Sequence, residues 1–133
     1  MEEKVEIKEV SEREIWVGET KIYLGEDNIL NVIEVGESDE KKAIAVKEAD
    51  VKLMNMVKGK VNILVDLNQF GKASPESRKI FKEISEYEKT GKVAIFGTHP
   101  VARVLASFVM GITKKKDMRF FKTKEEAYAW LKE

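Results

Sequence analysis

Over the first 36 residues, apolar positions alternate with charged or polar ones. Val5 and Ile7 alternate with charge, Ile15 and Val17 flank Trp16, Ile22 and Leu24 alternate with Lys21 and Tyr23, and residues 29–35 form a further apolar run. A period of two, punctuated by Gly18-Glu19-Thr20 and Gly25-Glu26-Asp27-Asn28, predicts an antiparallel meander. The period then changes. Ser38 is placed to cap a helix with Asp39 and Glu40 in its first turn, and Ala43, Val46, Ala49, Leu53 and Met56 follow at helical spacing up to Lys58-Gly59.

Residues 61–65 are a short apolar run ending in Asp66, which predicts a buried strand and then a polar loop. Ser74 and Pro75 suit the cap and first position of the next helix, whose stripe is Ile80, Phe81, Ile84 and Tyr87, with Thr90-Gly91 as its end. Residues 92–96 predict another buried strand, and Gly97-Thr98-His99-Pro100 its exit loop. The helix expected over 101–112 is apolar almost all round, with Arg103, Ser107 and Gly111 on one narrow line. Lys114-Lys115-Lys116-Asp117 is expected as a solvated turn and 118–121 as a last strand. Thr123 and Glu126 form a capping box for a final helix carrying Ala127, Trp130 and Leu131. The fold class is therefore α/β: one domain over 1–133, with a mixed sheet whose N-terminal antiparallel meander precedes alternating helices and strands.

Composition narrows the function. The 133 residues carry 24 basic and 24 acidic side chains, and this balance argues against a dedicated nucleic-acid or polybasic membrane surface. With no Cys and a single His, disulfides, thiolate metal sites and Cys nucleophiles are removed, and neither a metal nor a cofactor is expected. The start Met1-Glu2-Glu3-Lys4 has no apolar region after it, and the most apolar stretch, 101–112, is too short to span a bilayer. A cytoplasmic protein without an integral membrane segment is the expectation.

Three stretches carry a resemblance to a known family: Val61-Asn62-Ile63-Leu64-Val65-Asp66-Leu67, Lys92-Val93-Ala94-Ile95-Phe96-Gly97, and the ending from Arg119-Phe120-Phe121 through Glu125-Glu126-Ala127 to Trp130-Leu131. Their order resembles the STAS fold, specifically the SpoIIAA-like group, related in shape to CRAL-TRIO lipid-binding lobes. The resemblance implies a non-enzymatic module that binds a partner protein, a nucleotide or an apolar ligand. In the anti-sigma-factor antagonists of that fold a Ser opening the helix after the central strand is phosphorylated within an Asp-Ser-Ser-Gly motif. Here Ser74 stands nearest, in Ala73-Ser74-Pro75-Glu76-Ser77, and that motif is absent.

The candidate sites follow from these placements. Asp66, Asn68 and Gln69 lie where an open α/β sheet binds ligands, at the C-terminal end of a strand, or else form Asx turns. Thr98 and His99 open the next helix, as a capped start or as a polar contact, and His99 beside Asp66 would make an acid–base pair for a small enzyme. Leu105, Phe108 and Val109 stand for the apolar helix, which is either wholly buried, a wall of a ligand cavity, or the seam of a homodimer. Ser74 is a helix cap or a phosphoacceptor. The leading expectation is a binder of a small apolar or amphipathic ligand, with no catalytic residue. The alternative is a protein–protein regulator resembling anti-sigma factor antagonists.

Overall fold

The structure, a computed structural model, describes residues 5–114 and 117–133. Seven strands form one sheet in chain order: β1 (Ile7–Ser11), β2 (Glu14–Val17), β3 (Thr20–Leu24), β4 (Leu30–Ser38), β5 (Val61–Ala73), β6 (Thr90–Phe96) and β7 (Met118–Phe121). The pairs from β1 to β4 are antiparallel and those from β4 to β7 are parallel. Helices α1 (Glu40–Met54), α2 (Pro75–Glu86) and α3 (Pro100–Ile112) are the three crossovers, and α4 (Lys124–Leu131) follows the last strand.

Each crossover steps one strand further in the same direction, and crossovers of one hand then place their helices on one face. The main core accordingly joins Val46, Leu53, Ile80, Ile84, Leu105 and Val109 of these helices to Ile22, Val32, Ile63 and Val93 of the sheet. The other face of β5 and β6 is covered by α4, where Ala127 and Leu131 meet Leu64, Ala94 and Phe96. Strand β5 is thus covered on both faces, which is why residues 61–65 are apolar apart from Asn62. Asn62 fastens this second layer: its Oδ1 accepts from the Lys92 backbone N–H (2.8 Å) and its Nδ2 donates to the Leu131 carbonyl (3.0 Å).

Three local expectations are corrected. Strand β5 does not stop at Asp66 but continues through Ala73, because β4 extends beside it and pairs Val35 with Gln69, Gly36 with Phe70 and Ser38 with Ala73. The same extension takes Ser38 into β4, so the cap of α1 is Asp39, whose Oδ1 accepts from the Lys42 N–H at 2.8 Å. Thr90-Gly91 opens β6 instead of ending α2, although the Thr90 hydroxyl still donates to the Ile84 carbonyl (2.8 Å) in the last turn of that helix. Ser74 and Thr123 cap α2 and α4 as expected. Within the expected turn at 114–117, Lys115 and Lys116 lie outside the described residues.

Asn62→Leu strands a backbone donor in β6 and a carbonyl at the end of α4, and should lower the unfolding free energy by about 2 kcal/mol. Urea denaturation followed by Trp130 fluorescence would check this. An unchanged midpoint would show that α4 is held without the bridge.

Candidate functional site

Beyond the C-terminal end of β6, Thr98 and His99 meet the middle of β5 near Asp66 and Asn68, which lie within the strand and not at its end as expected. Asp66 Oδ1 accepts from the Asn68 backbone N–H within its own strand (2.9 Å). Asn68 Oδ1 accepts from Thr98 N (3.0 Å) and from the Thr98 hydroxyl (3.3 Å). His99 occupies the cap position of α3 without capping it; its Nε2 lies 2.9 Å from the Leu67 carbonyl. Gly97 permits this approach, since a Cβ there would sit 2.7 Å from the Ala102 Cβ. The cluster therefore clamps the start of α3 onto β5. The imidazole and the Asp66 carboxylate each bond to main chain.

Ser74 is half-buried, and its hydroxyl oxygen accepts from the Ser77 N–H at 3.1 Å. It lines a groove shared with Ser38, Lys42 and Lys72.

The three readings of the apolar helix divide along its faces. Ala102, Leu105, Ala106 and Val109 are buried against the sheet. Val101, Val104, Phe108 and Ile112 recur at i, i+3, i+7 and i+11 and form an exposed ridge, with Val104 66% and Phe108 40% accessible. Arg78 of α2 lays its guanidinium over the Phe108 ring at 4.4 Å, and on the other side Arg103 lies over Phe120 at 5.6 Å. The far ends of α2 and α3 are tied by Glu86, which accepts from the Lys114 N–H at 2.6 Å; that bond, aided by Lys82, lowers the Glu86 pKa.

The buried face of α3 is also a cavity wall. A space of about 70 Å³ lies between the sheet and helices α1, α2 and α3, and Leu105 and Val109 line it, whereas Phe108 points away. Its lining is apolar apart from Glu34, Asp50 and Ser85. Ser85 is bonded to the Lys82 carbonyl (2.6 Å) and to Thr113 (2.7 Å). Glu34 of β4 and Asp50 of α1 are each only 2% exposed, and Glu34 Oε2 and Asp50 Oδ1 have no hydrogen-bond partner among the described residues.

Desolvation pushes the Glu34 carboxyl up to about 7, against smaller opposing effects of the Lys42 charge and the Thr20 hydroxyl. Desolvation also pushes Asp50 well above the usual carboxylate range, and the neighbouring Glu34 adds to it. Lys42 gives limited relief, because its Nζ is engaged by the Val35 and Glu37 carbonyls (2.5 and 3.4 Å).

Sequence reasoning missed this pair, yet a signal was present. Glu34 continues the inward series Leu30, Val32 along β4. Asp50 falls on the stripe of Ala43, Val46 and Leu53 along α1. Each is an acidic residue at a position that the apolar period assigns to the core.

Among the described residues no group of three His, Asp or Glu side chains is placed to hold a metal ion, and no helix is long and apolar enough to cross a membrane. The mixed seven-stranded sheet with its four described helices is a STAS-like fold of the SpoIIAA-like kind. Residues 23–133 match the family model described as "Domain of unknown function (DUF7793)", and the chain belongs to that family.

Two solved structures show the likeness in shape. An uncharacterized protein of the DUF3478 family with a SpoIIAA-like fold, from Shewanella loihica PV-4, aligns with a TM-score of 0.60 at 17% identity over 84% of this chain and 91% of that one. An anti-sigma factor antagonist from Mycobacterium paratuberculosis aligns with a TM-score of 0.65 at 17% identity over 86% of this chain and 93% of that one. No curated protein matches the sequence.

Two measurements test the roles assigned to Ser74 and Glu34. Ser74→Ala removes only a cap and should cost about 1 kcal/mol in a denaturant titration. For Glu34, the folded-state pKa lies above the unfolded value, so the folded chain holds more protons between these values. Its stabilising contribution is fully present below the ordinary glutamate value of 4.5 and is lost as pH rises through about 7. The unfolding free energy should therefore fall from pH 5 to pH 8, by up to about 3 kcal/mol from this group. Glu34→Gln should flatten that slope, and an equally steep slope in the variant would place the proton elsewhere.

Proposed function

We propose that this protein is a non-enzymatic regulatory module that works by binding another protein through the exposed ridge of α3. The observation that carries the reading is the ridge itself: Val101, Val104, Phe108 and Ile112 form an apolar stripe on the outside of a helix whose other face is fully used by the core. Contiguous apolar surface of this kind marks interaction sites more often than it occurs by chance. The stripe lies between Arg78 and Arg103, and α3 carries no acidic residue. Charge complementarity then favours a partner segment that presents apolar side chains flanked by Asp or Glu. The shape shared with an anti-sigma factor antagonist supports the same class of role at the level of fold. A cytoplasmic setting belongs to this reading.

A lipid-sized ligand is the weaker reading, because drug-sized molecules occupy pockets of roughly 300–1,000 Å³ and the cavity behind α3 measures about 70 Å³. A phosphorylation switch at Ser74 would have to release a hydroxyl now engaged by the helix it caps.

Val104→Asp and Phe108→Asp test the proposal without disturbing the core. Proteins captured from the source cells by the wild type and by each variant would be compared side by side. A discrete polypeptide retained by the wild type and lost at least about tenfold by both variants, with melting temperatures unchanged, is the expected result. Equal capture by all three chains would remove the ridge from any partner interface. A concentration-dependent dimer abolished by the same variants would assign the ridge to a second copy instead.

A further inference from the structure

Helix α1 meets the sheet through two carboxyl groups. Glu34 lies on β4 and Asp50 on the buried face of α1, each only 2% exposed, and they are near enough for the charge of Glu34 to act on Asp50. As carboxylates, both groups leave an oxygen without a donor, Glu34 Oε2 and Asp50 Oδ1. Protonation turns an unmatched acceptor into a donor and removes the buried charge as well. The surroundings hold no cation that would do this instead. The Thr20 hydroxyl of β3 bonds to Glu34, and Lys42 acts on it from a distance, its ammonium being engaged by the Val35 and Glu37 carbonyls. The other inward side chains of β2 and β3 are Ile15, Val17, Ile22 and Leu24. Around the adjoining cavity α2 adds Ser85 and apolar side chains, and α3, β5, β6 and β7 add apolar side chains alone.

The two elements that carry the pair are held unequally. Strand β4 is paired along both edges, to β3 and to β5, and cannot leave without breaking two ladders. Helix α1 has no such ladder and rests on its side chains. Three of its seven buried residues are alanines and a fourth is Asp50, so less apolar area holds it than a face of Leu and Ile would supply. Its ion pairs to neighbouring elements, Lys47 with Glu83 and Lys52 with Glu9, lie at the surface, where such pairs contribute little. Repulsion between Glu34 and Asp50 therefore acts on an interface whose weaker side is the helix.

We propose that Glu34 and Asp50 form a proton-operated latch: protonated, they let α1 lie on the sheet, and when both ionise α1 opens locally while the strands stay paired. Burial pushes both carboxyls up, Glu34 to about 7 and Asp50 well above the usual carboxylate range, and their mutual repulsion makes the two titrations interdependent. The folded pair keeps protons that the unfolded chain gives up, so its stabilising contribution is lost as pH rises, and the latch releases on the alkaline side of neutrality. Opening admits water to both carboxylates and relieves the cost of keeping their charge buried. A fall in overall stability alone would loosen every element together; the latch loosens α1 ahead of the rest.

Amide hydrogen exchange of the full chain, compared between about pH 6 and about pH 8.5, tests the latch, with rates expressed as protection factors so that the base-catalysed rise in intrinsic exchange cancels. In the wild type, amides of residues 46–53 in α1 should lose at least about tenfold more protection at the higher pH than those of residues 63–65 in β5. Asp50→Asn keeps the shape and a donor but does not ionise, and should bring that difference to within about twofold. Equal losses in α1 and β5 would mean that the protein opens only as a whole, and that outcome overturns the proposal. So does unchanged protection of α1, or the full difference retained in Asp50→Asn. If Asp50→Asn failed to fold, Glu34→Gln would remove the other half of the pair, and the comparison of α1 with β5 in the wild type would decide without either variant. Because none of these readouts involves the outer ridge of α3, failure here leaves the protein-binding reading untouched.

Discussion

Strand β5 must be paired along both edges and covered on both faces, and the rest of the chain is arranged to meet that demand. Its neighbours β4 and β6 run parallel to it, which requires a crossover on each side. The crossovers α1 and α2, joined by α3, cover one face. The opposite face is left to α4, the helix among the described residues that is not a crossover, which Asn62 of β5 itself helps to hold. The strand outlasts its apolar portion. Beyond Asp66 it continues as a polar extension on which Asn68 and the Leu67 carbonyl anchor the start of α3. One strand thus sets both the depth of the core and the position of the helix on which the functional surface lies.

The two faces of α3 serve different chemistry. Outward, large apolar side chains meet solvent between two guanidinium groups. Inward, the same helix closes a small apolar space whose other walls bring Glu34 and Asp50 together. Burying carboxyl groups in such a layer is unfavourable unless they are protonated or paired, so the protein carries a titrating pair inside its core and not at its surface. The stability of the core is thereby coupled to proton concentration near neutrality. That coupling is a property of position: the same residues on the outer faces of β4 and α1 would titrate in the ordinary carboxylate range.

Much of this was legible in the chain itself. Alternation and helical spacing located all the elements, the capping residues Ser74 and Thr123 do what their types predict, and the order of strand motifs pointed to the SpoIIAA-like shape that the solved structures share. What misled was polarity taken as a sign of loop. Residues from Asp66 to Ala73 look like a connection, but a strand needs a partner ladder more than it needs apolar side chains, and β4 supplies that ladder through Ser38. The site was harder. Asp66 and His99 are close in the fold, yet each is engaged by main chain, and no periodicity reports hydrogen-bond partners. Glu34 and Asp50 were hidden for the opposite reason: a rule that places charge outside passes over the positions where the apolar period places charge inside.

The sheet order follows the chain order without exception. No strand is inserted between two that precede it, so every strand finds its pairing edge already built when it leaves the ribosome. Assembly can proceed from the N-terminal hairpin outward, each new helix folding back over the strand just laid down. Paired strands are consecutive along the chain, although in the parallel half a whole crossover helix separates the partners. The growing edge is always the newest strand, and α4 seals the second face only after the β7 edge is in place.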